Sequence, residues 1–234
     1  MEGRWSAALA VADEQWGLIT KQQADRSGVA WTTLTRRVDQ GFLERVAHGV
    51  YRVRGGGEPD HLELRAAWLQ LDPSIPAWER TPATGVVSHR SAAALYEIGH
   101  LPADKHEFTL PARKQTRRKD IRLHRGDVGS DCVTVRGLPT TRPSRIAADL
   151  VASREDLGAV AQVITDALRS RFEEPAAVAT AIAPFAATYG LLRGDGIGFL
   201  GWLLELSGDP DRDRWLLEAV EVNSDDPENP GGIP

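Results

Sequence analysis

Thr32, Thr33, Arg36 and Asp39 fall largely on one face of any helix that buries Leu34 and Val38 on its opposite side. The chemistry open to such a face is recognition rather than catalysis. An arginine guanidinium carries a planar fork of donors that matches O6 and N7 of guanine, and a threonine offers a hydroxyl to phosphate and a methyl to thymine. Arg36 is therefore the candidate for a base edge, and Thr32 and Thr33 for phosphate or a thymine methyl, with Trp31 and Arg37 flanking the seam. Lys21, Arg45, His48 and Arg52 carry charge suited to positioning a phosphate backbone. From Thr20 to Arg54, seven cations against three anions leave +4, in a chain whose formal net charge is −5. A basic segment in an acidic protein is the electrostatic footprint of a nucleic-acid surface, although a module of this outline can also serve protein–protein contact alone.

The elements that must hold these side chains can be read from Leu18 to Val53. Thr20 with Gln23 makes a capping-box pair that starts one helix, and Gly28 suits the left-handed position that ends it. A second helix carries Leu34 and Val38 four residues apart and stops at Gly41. Phe42-Leu43 and Val50 to Val53 are rich in strand formers and meet across Ala47-His48-Gly49, which predicts a hairpin. Helix, turn, helix and hairpin make a winged helix-turn-helix. Residues 5–15 predict a leading helix packed behind it. In this docking mode the second helix enters the major groove and the wing reaches the backbone or minor groove.

Residues Gly17 to Val53, and above all Gly49-Val50-Tyr51-Arg52-Val53, resemble the N-terminal winged helix of AbiEi-type antitoxins. Two later strings are also similar to that family: Ser88 to Leu95 (SHRSAAAL) and Gly137 to Leu150 (GLPTTRPSRIAADL). The resemblance implies a bicistronic bacterial system in which the chain binds its own promoter as an autorepressor and counteracts a nucleotidyltransferase-like toxin. It implies operator DNA with inverted repeats bound by two copies or a homodimer, because one small reader buries too little surface for tight specificity. In the family a serine often stands where this chain has Ala30, so the second helix is expected to lack its usual N-cap, at a cost of about 1 kcal/mol. The alternative is a winged-helix transcriptional regulator with no toxin partner.

The remaining residues predict an α+β protein in three parts: the winged helix over 1–57, a mixed α/β part over 58–222, and an acidic, disordered tail over 223–234. Gly55-Gly56-Gly57 with Pro59 marks the first boundary. A helix is expected over 61–71, then a proline-rich loop in which Trp78 plugs an apolar pocket. Ser88 is expected to cap a helix over 89–98, with His89 and Arg90 tying down its start. Strands are expected at 106–110, 121–124 and 132–135, and four helices with a weaker fifth segment from Pro143 onward. Between the first two strands lies the densest basic run, Arg113, Lys114, Arg117, Arg118 and Lys119; with Arg122 and Arg125, seven cations against Asp120 leave +6. That run reads either as a solvated loop or as a contact for nucleic acid or an acidic partner.

No catalytic residue, metal site or cofactor is expected. The four lysines stand in no acid-x-Lys arrangement, there is no Gly-x-x-x-x-Gly-Lys, and no Asp-x-Asp follows Gly129-Ser130. Gly194-Asp195-Gly196-Ile197-Gly198 follows a helix and reads as a turn. The six histidines are scattered, and the single Cys132 reads as a buried structural thiol. No apolar run is long enough for a membrane span and no signal peptide is visible, so a cytoplasmic location is expected.

Overall fold

The structure, a computed structural model, describes residues 2–224, and it is α+β. The described residues form two compact units. One runs through Val86 and takes up Phe108–Asp127; the other comprises Val87–Glu107 and the chain from Val128 onward.

In the first unit, α1 (Glu2–Asp13) leads into β1 (Leu18–Thr20), α2 (Lys21–Arg26), α3 (Trp31–Asp39), β2 (Leu43–Ala47) and β3 (Val50–Val53). The Thr20 hydroxyl accepts from the Gln23 N–H at 3.1 Å and the Gln23 side chain accepts from the Thr20 N–H at 3.0 Å, so the capping box forms. Gly28 sits at φ +77°, a conformation cheap only without a Cβ, and it turns the chain from α2 into α3. The wing is a bulged hairpin, and Leu18–Thr20, not expected as a strand, pairs antiparallel with β3 to give the order β1-β3-β2. Ala8, Ala12, Ile19, Ala24, Val29, Leu34, Leu43 and Tyr51 close over one core, which draws one face from each of these elements.

The same unit continues with α4 (Leu62–Leu69), in which Leu62, Leu64 and Arg65 to Leu69 are all buried. Its C-terminal carbonyls are capped by a side chain from farther along. Arg80 donates to the carbonyls of Trp68 at 2.6 Å and Leu69 at 2.7 Å while lying over the Trp68 ring. Burial pushes the Arg80 pKa down to about 10, which leaves it charged at neutral pH. Trp78 differs from expectation in that half its surface is exposed. Most of β5 (His106–Leu110) and all of β6 (Ile121–Arg125) complete the unit, joined by residues 111–120.

In the second unit, Val87 of β4 (Val86–Val87) runs parallel to β8 (Leu138–Thr141), which pairs antiparallel with β7 (Cys132–Val135). Neither β4 nor β8 was expected individually. Ser88 precedes α5 (His89–Tyr96) but makes no side-chain cap, so the expected cap is absent. Arg90 is held instead by Glu155, its Nε donating at 3.0 Å. Then come α6 (Pro143–Ala152), α7 (Leu157–Arg169), α8 (Pro175–Ile182), a 3-10 turn over Ala183–Tyr189, α9 (Gly196–Leu206) and α10 (Arg212–Ser224). Their apolar stripes bury Ile146, Leu150, Val163, Ile164, Val178, Phe199 and Leu203 completely or nearly so. The glycine turn at 194–198 is a helix start, where the Asp195 carboxylate accepts from the Gly198 N–H at 2.7 Å. A Cβ at Gly196 would lie 2.0 Å from the Ala179 carbonyl, so glycine is what lets α9 begin against α8. Cys132 is half-buried rather than buried, and burial pushes its thiol pKa up. The final helix is longer than the weak segment expected near 215–220; from residue 225 the expected tail lies outside the described residues.

Candidate nucleic-acid interface

α3 begins without help from its own cap residue: Ala30 has the extended backbone of an N-cap and no side-chain hydrogen bond. The helix is anchored by Leu34, which is fully buried, so the residues around it face outward in order. Thr32, Thr35, Arg36 and Asp39 are exposed and Trp31 is 54% exposed, whereas Thr33 is half-buried. Thr35 thus replaces Thr33 in the outward stripe. The two threonines flank Leu34 on either side, and the neighbouring elements decide which flank is covered. Arg36 has no partner among the described residues, so its fork of donors is unspent.

Lys21, at the start of α2, has its ammonium 5.9 Å from the centre of the Trp31 ring, and its N–H donates to the Gly49 carbonyl at 2.8 Å. That bond ties the start of α2 to the wing turn. On the wing, Arg45 and His48 are both exposed, and Arg45 donates to His48 Nδ1 at 3.1 Å. Lys21 is thus in contact with Trp31 of α3 and bonded to the wing turn that carries His48, so α2, α3 and the wing are linked.

Two arginines of the expected set are placed differently. The Arg37 guanidinium lies 4.9 Å from the Trp5 ring centre and 5.2 Å from that of Phe42, a cation–π clamp between α1 and the end of α3. Arg52 is only 14% exposed; it donates to Glu44 at 2.9 Å and lies 3.6 Å from Glu58. Its hydrogen bond holds the Glu44 carboxyl below the usual carboxylate range, and Glu44 in turn raises Arg52. An arginine bound to two carboxylates has little charge left for phosphate. Sequence spacing could not separate these from Arg36, because pairing partners come from α1, from β2 and from beyond β3.

The second basic run also belongs to the first unit. Lys114 donates to the Leu71 carbonyl and Arg118 is paired with Asp120, whereas Arg113, Arg117 and Lys119 are exposed with no partner among the described residues. A cleft of about 440 Å³ opens between this run and the start of α2 with the β2–β3 turn, with Lys21, His48, Lys114 and Arg118 on its walls and no acidic residue among those that line it.

In the second unit a cavity of about 890 Å³ is lined by Arg142, Arg145, Asp131, Asp149 and Glu173, with Phe185 and several small residues. Each of its carboxylates has an arginine partner, Arg145 serving both Asp131 and Asp149. Glu173 accepts from the Ser144 N–H at 3.2 Å, the Ser144 hydroxyl at 2.7 Å and Arg142 at 3.2 Å, so a distant carboxylate caps α6. Burial works to raise the Glu173 pKa, but the hydrogen bonds from Arg142 and Ser144 outweigh it and hold the carboxyl below its usual value. Arg145 donates to Asp149 at 2.8 Å.

Residues 6–54 match the family model described as "Transcriptional regulator, AbiEi antitoxin". Over these residues the resemblance read from the sequence is borne out. The AbiEi match holds the candidate residues of α2, α3 and the wing; the basic run at 113–119 and the second unit lie beyond it. No curated protein matches the chain. No helix among the described residues is long and apolar enough to cross a membrane.

Proposed function

We propose that the chain is an antitoxin-type transcriptional autorepressor. It binds double-stranded DNA upstream of its own gene through the outward stripe of α3 and the wing, and it counteracts a nucleotidyltransferase-like toxin. The observation that carries the DNA half is the unspent Arg36 fork on the exposed face of α3 that also bears Thr32 and Thr35, with exposed Lys21, Arg45 and His48 on α2 and the wing, inside the segment that matches an antitoxin regulator family. Arg36 reads a guanine edge and the surrounding cations hold phosphates. Two copies on inverted repeats supply the area that one such module lacks. The toxin half rests on the family description, and the second unit is its natural carrier because the matched segment is accounted for by DNA. We assign no catalytic step, metal or cofactor to the chain.

A gel-shift titration against the chain's own upstream region tests the DNA half, with an unrelated duplex as competitor. Preferential binding to the upstream duplex is expected; equal binding to both at low ionic strength would sink it. Co-expression with the product of the adjoining reading frame tests the toxin half. Relief of growth arrest is expected, and failure to relieve it, with DNA binding intact, leaves a regulator without a toxin partner.

A further inference from the structure

We infer that residues 111–120, the connection between β5 and β6, form a second DNA-backbone clamp beside the wing, so that the first unit grips phosphates flanking the segment read by α3. The inference rests on the DNA reading above and extends it to residues outside the family match.

The root of this arm is tied to the wing through two consecutive residues of the chain after α4. Gln70 donates to the His48 carbonyl of the wing turn at 2.6 Å, and the next residue, Leu71, accepts from Lys114 of the arm. Lys114 is thereby spent as an anchor, and Arg118 is largely spent on Asp120. What the arm presents to solvent is Arg113, Arg117 and Lys119, three cations with no partner among the described residues. A loop that served only solubility would not need its cations gathered at one place, since both signs interspersed do that as well. Here the cleft between arm and wing has Lys21, His48, Lys114 and Arg118 on its walls and no acid, with Lys114 anchored on Leu71 and Arg118 paired with Asp120. A second cleft on the same arm, about 380 Å³, is lined by Arg113, Lys114, His124 and Arg125 with Ala112 and Leu123, again without an acid. Surfaces of one sign on a low-dielectric wall concentrate the opposite charge, and the polyanion that already meets the wing is the DNA backbone. Flexible cations with no fixed fork geometry suit phosphates, not base edges, so the arm adds affinity and length of footprint without adding sequence preference.

The test compares the full chain with the triple variant Arg113→Ala/Arg117→Ala/Lys119→Ala on the upstream duplex, at several salt concentrations and by hydroxyl-radical footprinting. Each lost phosphate contact lowers the salt slope by about 0.9, so three contacts shrink the difference between parent and variant about 40-fold from 50 to 200 mM salt. The expected result is that flatter slope, a footprint shortened at its flank, and an unchanged ratio of upstream to unrelated duplex. Thermal unfolding of the variant is expected to match the parent, since the three side chains hold nothing in place. A variant that binds with the parent's slope and footprint overturns the arm's role and leaves its charge to an acidic protein partner. If the parent itself shows no preference for the upstream duplex, the promoter reading falls; an arm effect on both duplexes alike would then still stand as non-specific backbone binding.

Discussion

Both units contain free and committed arginines, but they differ in where free ones stand: in the first unit several lie on one helix face and one loop. In the first, Arg36, Arg113 and Arg117 stand exposed with no partner among the described residues. In the second, Arg90 is committed to Glu155, Arg142 to Glu173, Arg145 to Asp149 and Arg169 to Asp209, while Arg154, Arg171 and Arg193 are exposed with no partner among the described residues. Arginine is suited to both tasks, because its fork meets carboxylate and phosphate with the same geometry. What separates a recognition surface from an architectural ion pair is whether a carboxylate of the same chain has reached the fork first. Arg52 shows the rule from inside the first unit, where Glu44 and Glu58 convert a wing cation into a structural one.

Substitutions can break this comparison, beginning with the largest expected effect. Glu173→Ala removes a 5%-exposed acceptor and strands the Ser144 N–H at the start of α6, which should cost about 2–4 kcal/mol in urea unfolding. The pH dependence has a definite sign. The folded-state pKa of Glu173 lies below its ordinary value of 4.5, so its stabilisation is full above that value and drains away as pH falls through the lower folded value. The parent should therefore lose stability on acidification more steeply than Glu173→Ala; parallel curves would show that the carboxylate is not what holds α6.

Next comes Arg80→Ala, which uncaps α4 by removing donors to four backbone carbonyls and the stack on Trp68, and should cost about 2–3 kcal/mol of folding stability. Arg36→Ala should do the reverse of both: leave the melting temperature unchanged, relax base preference and weaken operator binding by about 1–3 kcal/mol. If operator affinity and preference survive that change, the outward stripe has been misassigned. Arg37→Ala sharpens the contrast between adjacent arginines. It should lower stability by about 1 kcal/mol through the lost clamp on Trp5 and Phe42, with no change in the upstream-to-unrelated binding ratio. The smallest effect is a gain: Ala30→Ser restores a side-chain acceptor at the start of α3 and should stabilise by roughly 0.5–1 kcal/mol, read as a raised urea midpoint.

Much of the first unit is local in origin, and for that reason legible. The Thr20–Gln23 box, the glycine after α2, the Leu34–Val38 spacing and the missing cap at Ala30 are all decided within a few residues, and each is where the local rules put it. The strands β1 and β4 were not legible, because both are too short for an alternating pattern and exist through partners distant in the chain; β8, in contrast, forms a tight hairpin with β7 across Arg136-Gly137, a local signal that was missed. Trp78 misled for a related reason: a large aromatic among prolines predicts burial, yet whether a pocket exists opposite it is a property of other elements.

The sequence by itself determined that a helix with one outward polar stripe, a turn and a basic hairpin stand near the front of the chain, since periodicity, capping and turn chemistry act over single helical turns. It determined the charge of each segment as well. Only the tertiary structure decided which cations remain free: Arg37 lies between rings from two elements, Arg52 is held by two carboxylates, and Lys114 bonds to the carbonyl after α4, which draws the arm to the wing. Charge is a property of a residue, but availability depends on what the folded chain brings within hydrogen-bond reach of it.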